Sequence, residues 1–196
     1  MKEMIKMVVV LTILSVISGG SLAFFHDFTT ANIENNQLKY IKGPAVEDIL
    51  KGAGNDPIKD RFKLTIDGVD RNFFVGVIDG KPKAVAFESS GKGFGGDVGI
   101  MVGVDLDTNK ILGVGVTTHS ETPGMGSRAK SDPTFVSQFK GMNLEQEFKV
   151  KSDGGQVDAL TGATITSRAV SFGVTEAGKL YKEIKPQISD KAKSFK

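Results

Sequence analysis

Apolar residues run without a charge from Met7 to Phe25, and past residue 60 the chain settles into short alternating stretches. The 19-residue apolar run spans about 28 Å as a helix, close to one hydrocarbon core. From Asp27 to Gly54 a polar sequence carries scattered apolar positions (Phe28, Ile33, Leu38, Ile41, Val46, Ile49, Leu50), which reads as helix divided at Gly43-Pro44. From Arg61 the period becomes two. Phe73, Val75 and Val77 alternate with Phe74, Gly76 and Ile78, and Asp79-Gly80 supplies a hairpin turn into Lys83–Glu88. Val98, Ile100, Val102, Val104 and Leu106 alternate with small or polar residues. Asp107–Lys110 then turns the chain into Ile111–Thr118, with Leu112, Val114 and Val116 on one face. Arg128–Phe139 reads as a short helical segment interrupted at Pro133, and Glu147–Val150 as one more strand. A last helix follows Thr164. Its apolar stripe of Ile165, Ala169, Val170, Phe172, Val174, Ala177, Leu180, Tyr181 and Ile184 stops near Lys182, Lys185 and Pro186.

This pattern predicts an α+β fold, an antiparallel sheet of half-buried hairpins with covering helices, preceded by one N-terminal transmembrane helix. Four segments follow: 1–26 as cytoplasmic N-terminus and anchor, 27–60 as a membrane-proximal helical segment, 61–186 as the domain, and 187–196 as a frayed polar tail. Lys2 and Lys6 precede the apolar run while His26 and Asp27 follow it. The positive-inside rule therefore places the N-terminus in the cytoplasm and the domain on the extracytoplasmic side of the cell (inner) membrane. The rival reading is a cleaved signal peptide with Ser21-Leu22-Ala23 as its cleavage site. The run exceeds the 7–15 residues of a usual signal core, which favours the anchor.

Composition narrows the chemistry. The chain has no cysteine, which excludes disulfides, cysteine-ligated iron–sulfur clusters and a thiolate nucleophile. Two histidines, His26 and His119, argue against protein-ligated haem or zinc, and no metal site is expected. A formal net charge of +2 gives no nucleic-acid footprint. An electron carrier of this composition relies on an organic cofactor.

The candidate chemistry centres on Thr161-Gly162-Ala163-Thr164. Gly162 and Ala163 let backbone approach a ligand closely. Thr164 falls at a helix N-terminus, where unpaired amides and the helix dipole favour an anion; it also reads as an ordinary N-cap. Gly91-Lys-Gly93-Phe-Gly95-Gly96 satisfies the dinucleotide-binding G-x-G-x-x-G expression. A strand pattern follows it instead of a helix, so it reads as a tightly turning loop, with a place at the edge of a site still open to it. His119 and Glu121 lack the further partners of a metal site and read as loop hydrogen-bonding groups.

Thr161-Gly-Ala-Thr164, with Asp158 three residues earlier, resembles the [Ser/Thr]-Gly-Ala-Thr flavinylation motif of FMN-binding domains. Glu121-Thr122-Pro123-Gly124-Met125-Gly126 resembles the Glu-Thr-Pro-Gly-Leu-Gly loop of the RnfG proteins of Rnf complexes and of their counterpart in the sodium-pumping NADH:quinone reductase. Met125 stands where the family usually has Leu, a swap that conserves volume. The resemblance covers roughly Met1 to Pro186, and the chain's length is closer to the Rnf protein. It implies FMN joined by a phosphoester to Thr164 by a flavin transferase, with Thr161, Gly162 and Ala163 around the link. It also places Thr122 and Met125 beside the flavin ring, with Glu121 and Gly124 in the same loop. Asp158 is then read by the transferase, and Lys149 or Lys151 is a candidate cation near the ring's N1 side. The implied function is a membrane-anchored electron carrier with no substrate turnover of its own. It would sit among the other membrane subunits of a ferredoxin:NAD oxidoreductase-type complex that moves Na+ or H+. The alternatives are membership of the related quinone reductase, a stand-alone extracytoplasmic flavoprotein, or a non-redox anchored binding domain.

Overall fold

The computed structural model describes residues 1–195, and side chains at all of these except 27, 30–32, 34 and 35. Two compact units divide at Tyr40/Ile41. The first is helix α1 (Lys2–Gln37), in which Lys2–His26 is long and apolar enough to cross a membrane. At 25 residues it reaches about 37 Å, more than one hydrocarbon core. The predicted division of the 27–60 segment at Gly43-Pro44 is seen as a change of helix type. A five-residue π-helical turn (Leu38–Lys42) leads into α2 (Gly43–Ile49), with proline in its first turn.

The second unit is a meander of five antiparallel strands in sequence order: β1 (Arg61–Ile66), β2 (Val69–Ile78), β3 (Lys81–Lys92), β4 (Asp97–Asp105) and β5 (Ile111–Val116). Three of its turns depend on residues that tolerate positive φ. Asp79 and Gly80 have φ of 54° and 70° and pass β2 into β3 through the predicted hairpin. Asp67-Gly68 (52° and 75°) does the same between β1 and β2, and Asn109 (59°) helps turn β4 into β5. The short helices α3 (Arg128–Ser131) and α4 (Pro133–Ser137) bracket Pro133 as expected, and Asp132 caps α4 by accepting from the Thr134 amide at 3.0 Å. Helix α5 (Thr164–Ala192) lies across one face of the sheet.

One sheet face carries Phe73, Val75, Val85, Phe87, Val98, Ile100, Val102, Val104 and Val114 into a core closed by Val170, Val174, Tyr181, Ile184 and Ile188 of α5. Close approach of the helix depends on small residues. A Cβ on Gly173 would stand 2.2 Å from Ile100 Cδ1, and one on Gly91 2.0 Å from the Ala169 carbonyl oxygen. The other face is not open to solvent, so the half-buried expectation fails. Gly103 and Gly113 are register partners, and Ile49 of α2 sits on both. Strand β4 is buried from Val98 through Val104, on both faces.

Three further expectations change. Residues 147–150 form no strand; Val150 makes a single parallel bridge to Val157. The last helix does not stop at Pro186. It runs to Ala192, because Ile188 and Ala192 are buried while Pro186 faces solvent, where water can satisfy the carbonyl its ring leaves unpaired. The expected tail is thus mostly core-packed helix. Finally, Ile165 and Phe172 point outward, 48 % and 54 % exposed, instead of joining the apolar stripe.

Candidate flavin site

Helix α5 begins where the chain cannot stay extended. Gly162 has φ of 79°, and the Ala163 amide donates to the Leu160 carbonyl at 2.9 Å, closing a tight turn. The first acceptor bond along the helix runs from the Ser167 amide to the Ala163 carbonyl at 3.0 Å. The amides of Thr164, Ile165 and Thr166 therefore emerge unpaired at the helix end. The N-cap residue is Ala163, so Thr164 is the first helical residue and its side chain caps nothing.

Four hydroxyls crowd this turn: that of Thr161 is exposed and off the cavity, and hydrogen bonds distinguish the other three. Ser167 Oγ donates to the Ala163 carbonyl and accepts from the Leu160 amide, both at 3.0 Å, and is fully buried. Thr166 Oγ1 donates to Glu121 Oε2 in a short bond. Among the described residues the Thr164 hydroxyl has no partner. Half-buried, it opens onto a cavity of 510 Å³.

The walls of that cavity come from three segments. Gly162, Ala163, Thr164, Ile165 and Thr166 form the helix end; Glu121, Thr122, Met125 and Gly126 form a second wall; Phe94 stands on the third. The turn at 122–127 is closed by amides of Met125 and Ser127 donating to the Thr122 carbonyl, and Gly124 takes φ of 75° within it. The glycine loop is fastened to this turn. The Gly95 amide donates to Glu121 Oε1 at 2.8 Å, and a Cβ on Gly95 would stand 2.0 Å from the Ser120 carbonyl oxygen. Glu121 thus ties the glycine loop and α5 to its own turn, and its amide donates to His119 Nδ1 at 3.3 Å.

Of the residues singled out from sequence, Thr164, Gly162, Ala163, Thr122, Met125 and Glu121 converge on the cavity. Thr161 and Gly124 lie in the adjoining turns, both exposed and off the lining. Lys149 and Lys151 are elsewhere: they pair with Glu147 at 2.9 Å and with Asp158 at 2.7 Å, and neither lines the cavity. Near the start of α5, Arg168 grips Asp153 through two bonds of 2.6 Å and holds that carboxyl below its ordinary range. Gly126 already belongs to the Glu121–Gly126 motif; sequence reasoning misses Phe94 and the side chains of Ile165 and Thr166 as site residues. Only Phe94 carries a signal that could have found it, a lone aromatic between glycines in the loop left open as a site edge.

The volume lies in the usual range for small-molecule sites, about 300–1,000 Å³. Phe94, Met125 and Ile165 suit a flat apolar ring, while the helix end with its unpaired amides and free hydroxyl suits a phosphate. FMN fits both halves. Fold and site together define a flavin-nucleotide-binding domain.

Residues 93–179 match the family model for the FMN-binding domain. Across almost its full length the chain is similar to the G subunit of the ion-translocating oxidoreductase complex of Pseudomonas aeruginosa, 31 % identical over 189 residues that cover 90 % of this chain and 87 % of that protein. The corresponding protein of Vibrio cholerae is 28 % identical over 190 residues, 91 % of this chain and 90 % of the relative. The solved structure of NqrC from Shewanella oneidensis is also similar, with a TM-score of 0.53 and 27 % identity over 71 % of this chain and 72 % of that one. The chain belongs to the RnfG family, the G subunits of ion-translocating oxidoreductase complexes.

Proposed function

We propose that this chain is a membrane-anchored electron carrier that holds FMN as a phosphoester on Thr164. It works within a ferredoxin:NAD oxidoreductase-type complex that couples electron transfer to Na+ or H+ movement. The observation that carries the covalent assignment is the state of the three neighbouring hydroxyls: Ser167 and Thr166 are engaged, and Thr164 is not. The amides at the start of α5 suit the phosphate, and the dipole there adds about 0.3–1 kcal/mol for an anion. FMN supplies the redox chemistry; the protein holds and orients it and tunes its electrostatics.

A phosphate ester does not form from free FMN and a hydroxyl in water, so the flavin transferase must draw on an activated flavin nucleotide. The phosphoanhydride bond of that nucleotide breaks as the Thr164 Oγ1–P bond forms, its other half departs as a nucleoside monophosphate, and the hydroxyl proton goes to solvent. Asp158, exposed beside this turn and paired with Lys151, is the side chain the transferase reads. Residues 1–26 serve as a retained single-pass anchor with the N-terminus cytoplasmic, 27–60 as a membrane-proximal segment, and the FMN domain from 61 onward lies on the extracytoplasmic side. Its partners are the other membrane subunits of the complex.

The test is to express the full chain with a flavin transferase and look for flavin fluorescence in its band on a denaturing gel. Peptide mass mapping then locates the adduct. Fluorescence that survives denaturation and vanishes in Thr164→Val supports the tethered carrier. A dark band, from a transferase that labels a control protein, overturns it.

A further inference from the structure

A buried carboxylate stands in the wall of the cavity, and among the described residues no cation pairs with it. Glu121 is 5 % exposed, and it is the one formally charged side chain on the lining. Both of its oxygens accept, Oε2 from the Thr166 hydroxyl and Oε1 from the Gly95 amide, the acceptor-only arrangement of an ionised carboxylate. Among the described residues it enters no ion pair. Packing fixes the carboxylate where it is. A Cβ on Gly93 would stand 2.5 Å from Oε1, and one on Gly126 2.7 Å from Oε2, so glycine at both positions makes room for it.

We propose that Glu121 lowers the reduction potential of the flavin through its charge. The inference rests on the reading that FMN occupies this cavity. One electron passed to the ring from an upstream donor adds one negative charge there unless a proton follows it. Like charges repel more strongly where one of them is buried than in bulk water, and salt screens a buried charge little. Glu121 therefore disfavours the reduced, unprotonated ring, the opposite of what a lysine beside N1 would do. The hydrogen bonds from Thr166 and Gly95 moderate the charge without cancelling it. The flavin becomes a stronger donor to the next acceptor.

The test is a redox titration of the flavinylated full chain with dithionite, followed by absorbance. Glu121→Gln keeps the shape and removes the charge; its oxygen still accepts from the Gly95 amide, while its NH2 donates to the Thr166 hydroxyl where the carboxylate accepted. It should shift the reduction equilibrium by about tenfold, a rise of 59 mV for a one-electron couple. Glu121→Asp keeps the charge and stays near the wild type. Thr166→Val removes a donor to the carboxylate and moves the midpoint downward. A purely structural role would move Glu121→Gln and Thr166→Val the same way, so shifts of one sign, or an unmoved Glu121→Gln, overturn the proposal. If Glu121→Gln does not fold, Thr166→Val decides alone: a lowered midpoint supports the proposal and an unchanged or raised one overturns it. A wild type without flavin overturns the FMN reading together with this one, whereas labelled variants with unmoved midpoints overturn only this one.

Discussion

Met125 reaches Gly162: its Cε lies 3.4 Å from where a Cβ on Gly162 would stand. The contact joins the 122–127 turn to the start of α5 and brings the two sequence motifs onto one cavity. Gly162 also has φ of 79°, so an alanine there is strained, while Met125 would stand at ordinary contact distance. Gly162→Ala should cost about 1–2 kcal/mol in stability and reduce flavin incorporation. Adding Met125→Ala leaves the backbone strain, so neither incorporation nor the melting temperature should recover in the double variant, as flavin content and thermal denaturation would show. Recovery of both together would assign the effect to crowding.

The turn before α5 depends on Ser167 more than on the proposed acceptor. Ser167→Ala removes the only partner that the buried Leu160 amide has among the described residues, which should cost about 1–3 kcal/mol. Thr164→Val breaks no hydrogen bond among the described residues and should leave the melting temperature nearly unchanged while abolishing the label. Denaturant melts paired with in-gel fluorescence separate the two roles. A label lost in Ser167→Ala, with Thr164 intact and the protein folded, would move the acceptor to Ser167.

Gly103 marks where α2 meets the sheet. A Cβ there would come within 2.1 Å of Ile49 Cγ2, against 3.3 Å from Ile49 Cγ1 for one on Gly113. Gly103→Ala should lose about 1–3 kcal/mol by overpacking, and Gly113→Ala less. Ile49→Ala relieves the clash, so the Gly103→Ala/Ile49→Ala pair should be less destabilised than the two single effects added. Strict additivity in urea melts would mean that α2 does not seat on these glycines.

Local signals made much of this fold legible. Asp79-Gly80 marks a hairpin because its backbone must take positive φ, and the alternation through Val98–Val104 marks a strand whatever surrounds it. Asp67-Gly68 carries the same signal for the first hairpin. The sheet's second buried face is harder to see, since Gly103, Gly113 and Gly115 look like the polar side of a half-exposed strand until a helix is laid on them. At the site, the two motifs converge on one cavity, but the bond from Thr166 to Glu121 joins residues far apart in the chain. Phe94 sits inside a pattern that resembles another kind of nucleotide loop. Such pairings belong to tertiary packing, and no spacing rule encodes them.

Pro186 misleads in the same way. A proline after Lys182 and Lys185 is a stop signal by propensity, yet Ile188 beyond it is fully buried in the core. Ile188→Ala should cost about 2–5 kcal/mol. Deleting residues from Gln187 onward should cost at least as much, since Ala192 is lost as well. Denaturant unfolding measures both. A truncated chain as stable as the wild type would return this segment to the status of a frayed tail.

Tyr181 gives the domain a weakness at alkaline pH. Its ring is fully buried, and its hydroxyl donates to Asn109 Oδ1 at 3.0 Å, an oxygen that also accepts from Lys185. Burial, with Glu145, Asp105 and Asp107 adding negative charge nearby, pushes the phenol up to about 12 from 10.0. The folded value lies above the unfolded one, so the stability linked to the protonated phenol is complete below pH 10 and is lost as pH rises through 12. Two units correspond to about 3 kcal/mol. Tyr181→Phe removes this titration and changes no other group. The stability difference between wild type and variant should therefore shrink by about 2 kcal/mol between pH 10 and 12 in urea melts. Parallel curves over that range would show that the phenol titrates alike in the folded and unfolded chains.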